Sequence, residues 1–154
     1  MENASARALW GDYLDKHIEH AFVDTPLVDY FCNNEQDANE CAELVKKGVK
    51  RATSHSLLGL QYRKEPLPKI GDFIVVTDWE GQAQCIVRTT KVTLKPFFAI
   101  DAEYAQREGE GDKSLAYWQK VHWEYYTKEL AAFERVPRDS MIVVCQEFEM
   151  VFRR

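Results

Sequence analysis

No stretch of this 154-residue chain approaches the roughly 20 apolar residues needed to cross a bilayer. Residues Met1 to Arg7 are polar and lack an apolar signal core, so the expected location is the cytoplasm, with no membrane partner. No Cys-x-x-Cys pair occurs. Cys32, Cys41, Cys85 and Cys145 are widely spaced, which fits buried thiols better than disulfides or zinc ligands. The Asp-x-Asp-x-Asp-Gly spacing of a calcium loop is missing as well. His17 and His20 stand three apart on a helix, but no third ligand is evident, so no metal and no cofactor are expected. Repeats, low-complexity tracts and linkers are also absent. The length therefore points to one domain, 1–154, able to bury roughly 70% of its unfolded surface.

Positive charge is in short supply. The net charge of −5 argues against tight, nonspecific binding to long nucleic acid, and DNA is not an expected partner. The distribution is uneven. Residues 45–69 hold Lys46, Lys47, Lys50, Arg51, Arg63, Lys64 and Lys69 against Glu65 alone. That balance of +6 leaves −11 on the remainder. The stretch reads either as a solvated helix end or as a local basic pocket for a phosphate or polar nucleotide.

Hydrophobic spacing sets the elements. Trp10, Leu14 and Ile18 recur every four residues and predict a helix over Ala4–His20. Leu27 to Phe31 is a short apolar segment of open type. Asn34 is a suitable N-cap for a second helix, with Ala38, Cys41, Ala42 and Val45 on one face and Gly48 just past its end. Phe73–Thr77 and Ala83–Leu94 read as strands around a hairpin loop at 78–81. Asp101 caps a short helix through Tyr104 and Ala105, a loop follows at 108–112, and a long helix starts near Ser114. Met141 to Phe152 closes the chain as a strand. Strands joined by a hairpin, without regular βαβ crossovers, favour an α+β fold with an antiparallel or mixed sheet.

The chemistry concentrates in Gly48-Val49-Lys50-Arg51-Ala52-Thr53, followed at once by Ser54, His55 and Ser56. A threonine hydroxyl needs a base, or a cation to hold the oxyanion it would become. A lysine three residues away can serve either role, although an exposed lysine before a strand-starting threonine is the ordinary alternative. Glu108 precedes Gly109-Glu110-Gly111, backbone that can approach a ligand closely, and one carboxylate with one lysine pairs a proton donor with an acceptor. Arg51, Ser54 and His55 are candidate ligand contacts. His122, on the apolar side of the last helix, reads as a satisfied core histidine. Trp118 reads as structural, whereas Trp79, in a hairpin loop, is the better candidate for stacking on a base.

The helix ending in Gly48-Val49-Lys50-Arg51-Ala52-Thr53-Ser54, then Pro68-Lys69-Ile70-Gly71-Asp72 before a strand, then Glu108-Gly109-Glu110-Gly111-Asp112 with Tyr117-Trp118 and His122, resembles the ASCH family, a PUA-like group associated with RNA. The N-terminal helix resembles the longer bacterial branch, with residues 1–30 as an extension. The resemblance implies a PUA-like mixed β-barrel or sheet flanked by helices. Some small members remove the acetyl group from N4-acetylcytidine. On their pattern Lys50, Thr53 and Glu108 are the catalytic set, and the partner is a small nucleoside or nucleotide. Other members bind short RNA or cleave it, and those readings stay open beside the amidohydrolase.

Overall fold

Helix α1 spans Ala4–Lys16, and the Asn3 side chain accepts from the Ala6 N–H at its start. It stops one turn short of the predicted end. His17 leaves helical geometry, and the Tyr13 hydroxyl, 2.7 Å from the His20 ring, holds Ile18–His20 as a 3₁₀ turn. Ile18 stays 81% exposed, so the four-residue apolar rhythm outran the helix it suggested. Strand β1 is Leu27–Asp29. Helix α2, Glu35–Lys46, is capped by Asn34, whose side chain accepts from the Asp37 N–H. It buries Ala38, Cys41, Ala42 and Val45 and ends before Gly48, at φ +76°. The computed structural model describes all of residues 1–154.

Strand β2, Ala52–Ser56, runs directly into helix α3, Leu57–Tyr62. Six residues offer too few turns for a hydrophobic period, so α3 was not legible. Its start is nonetheless built in: Ser56 accepts from the Gly59 N–H and donates to Glu129. Strands β3, Phe73–Thr77, and β4, Ala83–Pro96, form the expected hairpin. Helix α4, Ala102–Glu108, is capped by Asp101, and helix α5, Leu115–Ala131, by Ser114. Strand β5 is Ile142–Arg153. Glu108 is therefore the last residue of a helix, buried at 2% exposure, and not part of a solvated loop.

The strands form one sheet in the order β1-β3-β4-β5-β2. Only β1 with β3 is parallel. Register shifts in β4 between Ile86 and Val87 and between Thr89 and Lys91 bend the long strand, and the sheet curls into a half-barrel. Helices α4 and α5 cover one face through Tyr104, Trp118, Tyr126, Val143 and Cys145. Helix α2 packs on Ile74, Val76, Val87 and Phe148. Leu9 and Tyr13 of α1 pack on Phe73, Val75 and Ile86. A fully buried leucine such as Leu9 contributes roughly 1.5–3 kcal/mol.

Candidate functional site

Lys50 lies between the end of α2 and the start of β2, at 2% exposure. Its ammonium donates to the Ala52 carbonyl (2.7 Å), to Glu108 Oε1 (3.0 Å) and to Glu110 Oε2 (2.9 Å). Three acceptors thus meet its three N–H groups. Glu108, 58 residues away in sequence, is equally engaged. Its Oε2 accepts from Ser54 Oγ and Trp118 Nε1 and lies 3.1 Å from His122 Nε2. His122 Nδ1 lies 2.8 Å from the Trp118 carbonyl, which can only accept, so Nδ1 carries a proton, and a second proton on Nε2, facing Glu108, makes the imidazole a cation.

Two cations and two carboxylates balance in this interior. Burial works against charge on Lys50, Glu108 and His122, and in these three the partners win. Burial alone would lower Lys50, yet the Glu108 and Glu110 charges hold its pKa well above the usual lysine range. Burial would raise Glu108, yet the His122 and Lys50 charges, with hydrogen bonds from His122 and Ser54, hold it well below the usual carboxylate range. Burial would lower His122, and the Glu108 charge and hydrogen bond raise it.

Close approach of two backbones makes the pairing possible. Gly109 adopts φ +70°, and a Cβ there would stand 2.6 Å from the Val49 carbonyl oxygen and 3.1 Å from Lys50 Cα. Only glycine lets the end of α4 lie against the Lys50 segment. The Arg51 N–H then donates to the Arg107 carbonyl at 2.7 Å.

Lys50 and Glu108 are brought together; Thr53 stands differently. Side chains alternate along a strand, so Ser54 turns toward Glu108 while Thr53 and His55 share the opposite face, beside their pairing partners Gln146 and Val144. Lys50 reaches toward both faces. Its ammonium lies 5.4 Å from the Phe31 ring, which stacks on Phe148, two residues from Gln146 on the Thr53 face. Every fully buried side-chain nitrogen or oxygen has a partner except the Tyr126 hydroxyl. The Thr53 hydroxyl, which bonds no protein atom, therefore touches solvent. His55 Nε2 lies 2.8 Å from Gln146 Oε1, and Gln146 Nε2 donates to Thr89. Arg51 is exposed. Trp79 is not at the lysine: its ring lies on Tyr30 and its backbone N–H donates to the Asn39 side chain. Asn39 is two residues, about 200° of helical turn, from the Cys41 face of α2.

Four participants were missed or assigned only to the core: Glu110, Trp118, His122 and Gln146. For Glu110 the signal was its place two residues beyond Glu108, between glycines. For His122 and Trp118 it was their i, i+4 spacing on the helix after that loop. Gln146 left none, standing beside Glu147 where the apolar run of β5 gives way to alternation. Within the basic stretch, Lys50 is enclosed and Arg63 is held by Glu65 and Glu129. The missing third donor beside His17 and His20 is Glu19, within 4.8 Å of both. A cavity of about 10 Å³ beside Glu108 and Glu110, room for about one water, is lined by Tyr117, Trp118 and His122.

A curled mixed sheet with an enclosed lysine–glutamate pair at the start of an edge strand defines a PUA-like domain. The ASCH domain family model matches residues 28–152, and the chain belongs to that family. It is similar to an ASCH domain from Lactobacillus crispatus JV V101, at 31% identity and TM-score 0.88, covering 95% of this chain and 93% of that one. A protein of Enterococcus faecalis V583 is 33% identical with TM-score 0.85, covering 96% and 88%. No protein of curated function matches the chain. No helix is long and apolar enough to cross a membrane.

Proposed function

We propose that the chain hydrolyses an amide on a modified nucleoside such as N4-acetylcytidine. One observation carries the reading: Lys50 and Glu108 meet at 3.0 Å in the interior, and Thr53, three residues from that lysine, keeps a hydroxyl free of protein partners. An ammonium held charged by two carboxylates does not accept a proton at neutral pH. Its three N–H groups are engaged, so what it offers a developing acyl oxyanion is the pull of its buried charge. The Thr53 hydroxyl, or a water it orients, supplies the attacking oxygen. His55, on the same strand face and fixed through one nitrogen by Gln146, offers the other as a proton acceptor. Glu108 keeps Lys50 charged and in place, and the proton taken by His55 passes to the leaving amine. The room beside Glu108 suits a water and not a nucleoside, so the nucleoside approaches from the Thr53 face.

Acetate release from N4-acetylcytidine by the purified protein tests this. Turnover is expected to fall by roughly 10²–10³ in Lys50→Ala and by roughly 10²–10⁴ in Thr53→Val. Absent turnover, or turnover indifferent to Lys50→Ala, overturns the reading. A second reading, binding of short RNA, would use a groove of about 100 Å³ where Lys91, Lys95 and Arg107 stand with Asp101 and Glu147, and Lys91 and Lys95 are the cations it offers a phosphate. Binding there would weaken steeply with salt. Salt-independent or absent binding rejects it.

A further inference from the structure

Cys32 and Cys41 belong to no step above, yet their sulfurs lie 3.0 Å apart. Cys32 is half-buried at φ +74°, a left-handed position that side chains rarely take, in the loop leading to α2. Cys41 is buried on the inner face of that helix. Both sulfurs contact Glu110 Oε1, at 3.5 and 3.2 Å, and the other oxygen of the same carboxylate holds Lys50 at 2.9 Å. Two thiols and the lysine thus share one glutamate. These three donors could also face a metal ion, but the Lys50 ammonium on the same carboxylate opposes a second cation. Cys85 and Cys145 are buried elsewhere, in the clusters under α2 and under α4 and α5.

We propose that Cys32 and Cys41 form a reversible disulfide, with a small-molecule disulfide as oxidant, and that its formation frees Glu110 and so resets how Lys50 is held. The Cys32 sulfur attacks one sulfur of the oxidant, forms a mixed disulfide and releases one thiol, which takes the proton. Cys41 then attacks the Cys32 sulfur and expels the second thiol. Its proton leaves by way of Glu110 Oε1. The two cysteines lose two electrons and two protons, and the oxidant becomes two thiols. The order follows from access: Cys32 reaches the surface, whereas the Cys32 contact, burial and the Glu110 charge hold the Cys41 thiol far above the usual range. The disulfide carries no S–H. Glu110 Oε1 then loses both donors, and the carboxylate, at 17% side-chain exposure, is free to turn toward solvent and leave Lys50 to Glu108.

The disulfide is read by mass, independently of any activity. The protein is exposed to oxidised glutathione, unfolded, alkylated with iodoacetamide and digested without reductant. The expected result is one linked peptide pair joining Cys32 to Cys41, two hydrogens lighter and reversed by dithiothreitol, with Cys85 and Cys145 alkylated. Cys41→Ser should stop at a glutathione adduct on Cys32, and Cys85→Ser with Cys145→Ser should still form the link. Four alkylated cysteines, or a lasting adduct on Cys32 of the unaltered protein, overturns the disulfide. The coupling to Lys50 rests on the hydrolase reading, and oxidation should lower turnover roughly tenfold. Equal turnover in both states with the link present overturns the coupling alone. Absent turnover in the reduced protein overturns the hydrolase reading and leaves the link standing.

Discussion

Four donors converge on the Glu108 carboxylate, and two of them are cations. Removing one partner of a buried pair strands the other charge, at a cost of roughly 3–5 kcal/mol. Glu108→Gln should therefore lower stability by about that amount, read from the urea midpoint. A loss under about 1 kcal/mol would mean that water reaches the pair. Lys50→Met should cost less than Lys50→Glu, since methionine leaves no new buried charge of its own. Comparing the two midpoints separates lost packing from stranded charge. At this scale the sequence was partly legible. A lysine, a threonine and a distant glutamate were named together, but residue types carry no sign of which face a strand turns to its neighbour. Ser54, next in the chain, is the hydroxyl that meets Glu108.

Helices α2, α4 and α5 were readable because caps and glycines mark their ends: Asn34, Gly48, Asp101, Ser114. Helix α3 and the last turn of α1 were not, because short elements are decided by tertiary contacts such as Ser56 with Glu129 and Tyr13 with His20. The join between α4 and the Lys50 segment is the most exacting contact between elements. Gly109→Ala would force a side chain into a left-handed position and against the Val49 carbonyl. It should cost more than about 1 kcal/mol and lower turnover as well, because it pushes Glu108 from Lys50. Chemical denaturation with acetate release checks both. Normal stability and normal turnover would show that the join has slack.

Over the whole molecule, the charged interior makes stability a function of pH with opposite signs at its two ends. Glu108 is depressed below its ordinary value of 4.5. Its contribution is present above that value and lost as pH falls toward the folded one. His122 is raised above its ordinary value of 6.5. Its contribution is full below 6.5 and lost as pH climbs through the folded value. The site is thus most stabilising between those two ordinary values. His122→Asn should abolish its part of the loss above pH 6.5 and also shrink the acid side, because the His122 charge is the leading influence that depresses Glu108. Thermal unfolding across pH measures this, and an alkaline limb unchanged in the variant would refute it. The α+β architecture was legible from strand and helix spacing. The half-barrel curl was not, because it comes from pairing irregularities in β4 that a one-dimensional pattern does not carry.

Strand β2 lies at the edge of the sheet, and a bare edge is a template on which another chain can add a strand. The outward-facing carbonyl of Ala52 is already taken by the Lys50 ammonium. The lysine at the centre of the site is therefore also a guard against self-association. Losing it would expose a tacky border, and a variant made to silence chemistry would also be less soluble.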